Sequence, residues 1–197
     1  MKAAVTTDNR GFEVVDLPDP TPGPDELVIR VAACGVCGSD VKAQLYAPAG
    51  MVMGHELGGE VVAVGSSVGG RRLGANVAVL PVLSCGSCRY CTAGLVSHCS
   101  QTRYLGMGPP GGFAELAVVP ARHTFVLPAG MPESYCALVE PFAVGLHGVH
   151  RAEISPGDDV LIVGAGGVGL TTLVWALDKG GVRVTVADPD QIGRAHV

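Results

Sequence analysis

The sequence has few aromatic residues, few charged residues and no long uninterrupted apolar run. Aromatic residues make up 5% and charged residues 16% of its 197 positions. No stretch reaches the roughly 20 consecutive apolar residues that a membrane-spanning helix needs. The N-terminal residues contain no apolar run that predicts a secretory signal peptide. We therefore expect a cytoplasmic protein with no membrane partner.

Positive charge is also scarce, and it is scattered along the chain. The sequence has 13 lysines and arginines against 18 aspartates and glutamates, for a formal net charge of −5. A nucleic-acid-binding surface requires Lys and Arg clustered on one face or along one helix. We therefore expect no nucleic-acid partner.

Glycine, by contrast, is abundant, and the first 150 residues consist of short apolar segments broken by Gly and Pro. The chain has 29 glycines and 14 prolines, a composition typical of β structure with many tight turns. Strands are predicted at residues 27–33, 60–64, 76–80 and 114–119. Their spacing predicts a compact, barrel-like β domain.

The pattern changes near residue 150. Residues 159–163 form a short apolar run that predicts a buried parallel strand. A glycine-rich turn follows, then a helical apolar spacing over 168–179 and a second apolar run at 182–187. This strand–helix–strand order is typical of the first unit of a doubly wound α/β domain.

Four of the seven cysteines lie close together in the sequence. An odd number of cysteines in a cytosolic chain favours metal binding or catalysis over a disulfide framework. Cys85, Cys88, Cys91 and Cys99 have the spacing C-x2-C-x2-C-x7-C, which suits a closed tetrahedral zinc site. The alternative is an iron–sulfur cluster of the C-x2-C-x2-C-x3-C-P type. The longer last gap and the missing proline after Cys99 favour structural zinc.

The glycine-rich turn carries a dinucleotide-binding pattern, GxGxxG, between the predicted strand and helix. Gly164 would make the tight turn, Gly166 would let the backbone approach a pyrophosphate, and Gly169 would let helix and strand pack closely. The candidate cofactor-binding residues of this turn are Gly164, Gly166, Gly167, Val168 and Gly169. Asp188 ends the next predicted strand, where a carboxylate accepts ribose hydroxyls and repels a 2′-phosphate. The pattern predicts NAD rather than NADP.

Other possible metal ligands are dispersed along the sequence. They are Cys37, His55, Glu56 and Glu140. A catalytic zinc keeps three protein ligands and one exchangeable position, and a thiolate, an imidazole and a carboxylate would be adequate. Considered singly, each residue is as easily an ordinary buried or solvated side chain.

Three segments carry a resemblance to a known family. CGVCGSD at 34–40, GHELGGEVVAVGSSV at 54–68 and VEPFAVGLHGV at 139–149 resemble zinc-dependent medium-chain alcohol dehydrogenases, the last segment their sorbitol and butanediol branch. The resemblance runs from near the N-terminus to Asp188, with the four-cysteine lobe at 85–99 where the family has it. It implies a mixed α/β fold, with a GroES-like, β-rich catalytic domain at 1–150 followed by an incomplete Rossmann βαβ unit at 151–190.

The resemblance also implies roles for individual residues. Cys37, His55 and Glu140 would bind a catalytic zinc, and Glu56 would be an alternate ligand or a close neighbour of the metal. Asp40 would orient a ligand, and Ser39 would pass the proton of the alcohol onward. Lys42 stands where the family often has the next histidine of that relay, so the outer end of the relay stays open.

The function implied is hydride transfer between a small-molecule secondary alcohol or polyol and NAD, with one catalytic and one structural zinc in a homo-oligomeric parent, a dimer or tetramer. One alternative is a stand-alone zinc-binding structural or interaction module with a vestigial nucleotide motif. Another is a zinc-free quinone reductase of the same superfamily. Those reductases generally lack both the cysteine lobe and the ligand trio.

The C-terminal residues have an unusual sequence. The doubly wound domain of the family would need further strands after 187, so we expect this chain to be an inactive fragment. Residues 192–197, Ile-Gly-Arg-Ala-His-Val, are what ATC GGA AGA GCA CAC GTC encodes, the start of a common sequencing adapter. We therefore expect 191–197 to be an artefactual tail.

Overall fold

The computed structural model describes residues 1–69, 73–180 and 183–190, and the backbone of 195–196. The chain divides into two compact units, Met1–Leu138 and Val139–Val197. The family-based domain bounds, 1–150 and 151–190, differ from this division by one helix and stay a prediction. In the described part of the chain, no helix is long and apolar enough to cross a membrane.

The first unit is built mainly from antiparallel strands, as the alternating apolar segments and frequent turns predict. Its strands are β1 (Lys2–Thr6), β2 (Phe12–Asp16), β3 (Glu26–Gly35), β4 (Glu56–Val64), β5 (Asn76–Val79), β6 (Val82–Leu83), β7 (Arg103–Tyr104), β8 (Leu116–Pro120) and β9 (Thr124–Val126). A five-stranded sheet has the order β8-β3-β4-β5-β9, and β1-β2 and β6-β7 form separate pairs.

The core of this unit lies on the five-stranded sheet. Strand β3 pairs with a strand on each side: Ile29 lies opposite Val61 of β4 and Ala117 of β8. Ile29 and Val61 are fully buried, as are Leu27 and Val77. Because side chains alternate between the two faces of a strand, this register places the apolar set on one face. The four predicted β segments are confirmed as strands, although β3 and β4 extend beyond their predicted ends.

Short helices connect the strands of the first unit. Helix α1 (Gly38–Ala43) follows β3, and α2 (Arg89–Thr92) lies between β6 and β7. Short 3-10 helices occur at Val96–His98, Ala121–His123 and Glu133–Leu138.

The second unit contains the predicted strand–helix–strand motif. It consists of α3 (Val139–Arg151), β10 (Asp159–Val163), α4 (Gly167–Asp178), β11 (Arg183–Ala187) and β12 (Ala195–His196). Strands β10 and β11 are parallel, and β12 pairs antiparallel with β11. Ile162, Val184 and Ala176 are buried together between the sheet and its helices. The predicted motif is confirmed. The tail prediction concerns 191–197, of which 191–194 and 197 lie outside the described residues.

Helix α3 corrects the expectation that the chain is made of β segments up to residue 150. Val139, Phe142, Leu146 and Val149 have the three-to-four-residue spacing of one helix face. A Cβ at Gly145 would lie 2.6 Å from Thr171 Oγ1 of α4. Glycine is therefore present so that the two helices can pack closely.

Candidate metal centres and nucleotide-binding turn

The four cysteines of the predicted lobe come together in the connection between β6 and β7. Cys85 follows β6, Cys88 precedes α2, Cys91 lies in α2, and Cys99 follows the turn at Val96–His98. Their four Sγ atoms lie within 4.8 Å of one another. The structure thus places all four predicted ligands in one cluster.

The distances between these sulfur atoms fit a tetrahedral metal site. Sγ–Sγ distances are 3.5 Å for Cys88–Cys91, 3.9 Å for Cys85–Cys91 and 4.0 Å for Cys88–Cys99. Four thiolates at the usual Zn–S distance of about 2.3 Å would be separated by about 3.8 Å. The donor set therefore suits zinc in both chemistry and size.

Backbone N–H groups around the cluster favour the thiolate form that a metal requires. The N–H groups of Ser87 and Cys88 donate to Cys85 and lower the pKa of its thiol to about 7. The N–H groups of Cys91 and Ser100 lower the pKa of Cys88 to about 5. The loop therefore stabilises negative charge on Cys85 and Cys88, whereas burial and the neighbouring sulfur atoms raise the pKa of Cys91 to about 11.

The start of this lobe is held by His123, a residue that no sequence motif singles out. The backbone N–H of Ser84, which precedes Cys85, donates to Nε2 of His123 at 3.3 Å. The guanidinium of Arg122 donates to the carbonyl oxygen of Ser84 at 2.6 Å. Burial lowers the pKa of His123, with Arg122 adding to the effect. The contact joins residues far apart in sequence, and nothing in the local pattern of His123 predicts it.

A second group of possible ligands lies beside the paired ends of β3 and β4. Cys37 immediately precedes α1, His55 immediately precedes β4, and Glu56 is the first residue of β4. One ligand atom from each lies within 4.8 Å of the others. Gly35 pairs with Glu56 across the sheet, and a Cβ at Gly35 would overlap the Glu56 carboxylate. The structure therefore brings Cys37, His55 and Glu56 together.

Asp40 connects two members of this group. Its side chain is buried, with Oδ2 accepting the backbone N–H of Cys37 at 2.9 Å and Oδ1 lying 3.1 Å from Nδ1 of His55. Since a carboxylate only accepts, the proton of this bond belongs to Nδ1, and Nε2 is left to bind a metal. The same hydrogen bond raises the pKa of His55 to about 9.

The other predicted residues of this site, Ser39, Lys42 and Glu140, lie on helices α1 and α3. Ser39 lies in the first turn of α1 and is exposed, and Lys42 lies in its last turn. Glu140 belongs to the second unit, in the first turn of α3. Cys136 is buried, as expected of a small apolar residue, and belongs to neither group of possible ligands. The roles of Ser39, Glu56 and Glu140 stay predictions.

The glycine-rich turn has the geometry that the sequence pattern requires. Gly164 has φ +103°, a left-handed conformation that glycine adopts without strain. Gly166 precedes α4, and Gly167 begins it. A Cβ at Gly169 would overlap the carbonyl oxygen of Gly164. Helix α4 can therefore begin directly against the end of β10.

Asp188 is hydrogen-bonded to this turn. Its Oδ2 accepts the backbone N–H of Ala165 at 2.8 Å, and its Oδ1 accepts that of Asp190 at 2.9 Å. The carboxylate thus lies at the end of β11, beside the N-terminus of α4. These residues form a turn suited to an anionic dinucleotide, because the first N–H groups of a helix have no partner within it.

Residues 23–129 match the model of the alcohol dehydrogenase GroES-like domain. The match covers more than half of the chain, which therefore belongs to this family, and the resemblance found in the sequence is confirmed. The mixed α/β fold with a β-rich GroES-like domain is confirmed as well.

Curated relatives are dehydrogenases of small molecules. The chain is 38% identical to L-galactonate-5-dehydrogenase of Escherichia coli K12 over 183 residues, which are 90% of this chain and 53% of the relative. It is 35% identical to sorbitol dehydrogenase of Bacillus subtilis over 196 residues, which are 95% of this chain and 56% of that protein. The chain spans about half the length of the curated relatives it matches.

Solved structures give the same assignment. Galactitol-1-phosphate dehydrogenase from Escherichia coli superposes with a TM-score of 0.90 at 34% identity, covering 98% of this chain and 57% of that one. A protein from Sinorhizobium meliloti 1021 described as a zinc-binding dehydrogenase and bound to NADP superposes with a TM-score of 0.92 at 35% identity, covering 98% and 57%.

Proposed function

We propose that the protein carrying this chain is a zinc-dependent oxidoreductase that transfers a hydride between a secondary alcohol or polyol and NAD. The observation that carries the proposal is the grouping of Cys37, His55 and Glu56 around the buried carboxylate of Asp40. A purely structural zinc module needs only the four-cysteine cluster. The second group therefore argues for a catalytic site and against a stand-alone structural module.

In this proposal the four-cysteine cluster holds one zinc ion. Cys85, Cys88, Cys91 and Cys99 would complete a tetrahedral shell and leave no position for a substrate. A site of this kind stabilises the folded state directly, because its ligands are brought together only on folding. Its role is to hold the connection between β6 and β7.

The second group would hold a catalytic zinc. Cys37 and His55 are the proposed ligands, with the carboxylate of Glu140, as the resemblance implies, or of Glu56 completing the set. When bound, zinc supplies Lewis-acid chemistry that makes a coordinated hydroxyl more acidic. Cys37 and His55 keep their orientation through Asp40, which contacts the backbone of one and the imidazole of the other.

The protein's own residues would then handle the proton. We propose that Ser39 Oγ accepts the hydroxyl proton of the alcohol and passes it outward, with water or a deprotonated Lys42 amine as the next acceptor. The alcohol carbon gives up its hydrogen as hydride to the nicotinamide ring, so the alcohol becomes a ketone and NAD becomes NADH. Ser39 follows Cys37 by two residues and is exposed, as a group that exchanges protons with solvent must be.

The second unit would bind the cofactor. The N–H groups at the start of α4 would face the pyrophosphate, and Gly166 would allow its close approach. The Asp188 carboxylate places negative charge at the end of β11, where NADP would carry its 2′-phosphate. One related structure holds NADP, so the relatives do not decide between the two cofactors. The proposed preference for NAD therefore rests on Asp188. A cytoplasmic location and a homo-oligomeric dimer or tetramer remain part of the proposal.

Zinc content tests the proposed sites. The protein carrying this chain, purified under reducing conditions, should contain two zinc ions per subunit by elemental analysis and native mass spectrometry. Iron in place of zinc, or a single zinc ion in fully loaded protein, would contradict the proposal.

A further inference from the structure

Helices α3 and α4 approach each other closely within the second unit. A Cβ at Gly145 of α3 would lie 2.6 Å from Oγ1 of Thr171 and 2.7 Å from the backbone nitrogen of Thr172, both in α4. Because only glycine lacks that atom, only glycine permits this spacing. Thr171 is buried at the contact. The two helices therefore meet here with no side chain of α3 between them.

Two side chains of α4 reach the first turn of α3. The hydroxyl oxygen of Thr171 lies 3.0 Å from the carbonyl oxygen of Pro141, and Nε1–H of Trp175 donates to the carbonyl oxygen of Phe142 at 2.8 Å. The rings of Phe142 and Trp175 also pack edge to face, with centroids 6.2 Å apart. A carbonyl oxygen has two lone pairs, so it can accept a side-chain donor in addition to a helical N–H. The first turn of α3 is thus tied to α4 at two consecutive residues.

The Thr171 hydroxyl has a second acceptor within reach, the carbonyl oxygen of Val168 in its own helix, also at 3.0 Å. A hydroxyl has a single proton to donate. The Val168 oxygen already accepts the hydroxyl of the neighbouring Thr172 at 2.7 Å. This shorter bond leaves the Thr171 proton for Pro141. Two adjacent threonines of α4 therefore have different tasks, one within α4 and one toward α3.

Pro141 and Phe142 directly follow Glu140 in α3. Proline has a fixed φ and no N–H, so the carbonyl oxygen is the only backbone group through which Pro141 can be held by a hydrogen bond. Successive residues project from a helix about 100° apart around its axis. Fixing these two carbonyl groups therefore fixes the rotation of the first turn. The side chains of α4 thereby act, through the backbone, on the direction in which Glu140 leaves the helix.

We infer that Thr171 and Trp175 are positioning residues, which hold Glu140 in the orientation that its proposed role as a zinc ligand requires. This role rests on the proposed function, because it needs a zinc ion bound by Cys37 and His55. Helix α4 then serves both halves of the proposed chemistry. Its N-terminus faces the cofactor, and its side chains orient a carboxylate that binds the metal.

Zinc affinity at Cys37 and His55, measured in the protein carrying this chain, tests this role. Competition with a chromophoric chelator measures the affinity once the four-cysteine cluster is loaded. Thr171→Val replaces the hydroxyl by a methyl group and should weaken zinc binding by about fivefold, the effect of one ordinary hydrogen bond. Thr171→Ser keeps the hydroxyl and should restore most of the affinity. Thr172→Val makes the same change where the hydroxyl donates within α4, and should leave the affinity unaltered.

A double-mutant cycle separates positioning of Glu140 from a general loss of stability. Glu140→Ala removes the proposed ligand and should weaken zinc binding by itself. Adding Thr171→Val to that variant should then change nothing further, because the group that Thr171 positions is gone. An equal loss from Thr171→Val with and without Glu140 would show that the hydroxyl acts on the fold as a whole, and would overturn the inference. Equal affinities in Thr171→Val and Thr172→Val would overturn it as well.

Trp175 gives an independent check, since it is the only tryptophan of this chain. Trp175→Phe keeps an aromatic ring against Phe142 but removes the Nε1–H donor, and it should weaken zinc binding in the same direction as Thr171→Val. The indole N–H signal of Trp175 in a ¹⁵N-labelled sample, assigned by its loss in Trp175→Phe, should keep its position in Thr171→Val. A shift to the position of a solvent-exposed indole would show that α3 and α4 have separated, and would contradict a role confined to Glu140. Unaltered zinc affinity in Trp175→Phe would exclude Trp175 from this role.

The result for Glu140→Ala separates this inference from the proposed function. Weaker zinc binding in Glu140→Ala but not in Thr171→Val leaves the proposed ligand in place and overturns the inference alone. Unaltered zinc binding in Glu140→Ala shows that Glu56 completes the site, which overturns the inference while the zinc site stands. A protein that binds no zinc at Cys37 and His55 contradicts the proposed function and the inference together.

Discussion

Asp40 Oδ1 lies 3.1 Å from Nδ1 of His55, and the same carboxylate accepts the backbone N–H of Cys37. One buried side chain therefore sets the position of two proposed zinc ligands from different elements, the loop after β3 and the residue before β4. The consequences can be measured in both metal binding and catalysis.

Replacing the Asp40 carboxylate should weaken zinc binding by the group of Cys37, His55 and Glu56, and leave zinc binding by the four-cysteine cluster unchanged. We expect Asp40→Ala to reduce zinc affinity at the first of these sites by about 10- to 100-fold, the usual effect of losing a group that orients a metal-binding histidine. Competitive titration with a chromophoric chelator measures this affinity. Asp25→Ala removes an exposed carboxylate of the same unit and should have no effect. Equal zinc affinity in both variants would show that Asp40 does not orient the ligands.

The four-cysteine cluster should contribute to stability rather than to chemistry. Cys88→Ser should remove one zinc ion and lower the melting temperature by several degrees or more, because structural metal binding contributes folding free energy. Ser97→Ala changes an exposed residue of the same lobe and is the control. Retention of both zinc ions and an unchanged melting temperature in Cys88→Ser would rule out this role.

Asp188 has two roles that one pair of substitutions separates. Asp188→Asn removes the negative charge but keeps a carbonyl oxygen that can accept the Ala165 N–H, whereas Asp188→Ala removes both. We expect Asn to improve kcat/KM with NADP relative to NAD by roughly tenfold, since the repelling charge is gone. Ala should also weaken binding of both cofactors by loosening the turn. An unmodified protein that prefers NADP would show that this reading of Asp188 is wrong.

His123 should make the first unit sensitive to acid. Burial lowers its pKa in the folded protein below the ordinary value near 6.5. As the pH falls through that value, the unfolded chain takes up a proton that the folded chain does not, so stability present above about pH 6.5 is lost below it. The slope contributed by one histidine is at most about 1.4 kcal/mol per pH unit.

Urea unfolding at pH 7.5, 6.5 and 5.5 measures this effect. His123→Gln keeps a side chain that can accept the Ser84 N–H but cannot take up the proton, so its loss of stability on acidification should be smaller. The matched substitution of an exposed histidine, His150→Gln, should follow the unmodified chain. If His123→Gln and the unmodified chain lose stability in parallel, His123 is not responsible.

Most of the confirmed predictions came from patterns of residues that lie close together in the sequence. The turn at Gly164–Gly169, the flanking strands and the cysteine lobe each depend on residues close together in the chain, so spacing alone indicates them. Helix α3 escaped prediction because its glycines suggested a turn-rich β segment, whereas Gly145 in fact lets α3 pack closely on α4. The contact of His123 with Ser84 was missed because sheet formation joins residues distant in sequence, and no local pattern encodes such a contact.

The group of Cys37, His55 and Glu56 could be predicted only in part from the sequence. Spacing alone did not distinguish Cys37, His55 and Glu56 from ordinary residues, and only the family resemblance singled them out. The structure shows why: the pairing of β3 with β4 brings Gly35 opposite Glu56, and the ligand group forms beside that pair. The buried position of Asp40, which holds the group together, was visible only once the fold was known.

The most direct test is the rate of NADH formation from a secondary alcohol by the protein carrying this chain, before and after His55→Ala. We expect steady turnover in the unmodified protein. We expect loss of turnover in the variant, with the zinc of the four-cysteine cluster retained as evidence that the protein is folded. Undiminished NADH formation by His55→Ala would contradict the assignment of this group as the catalytic site.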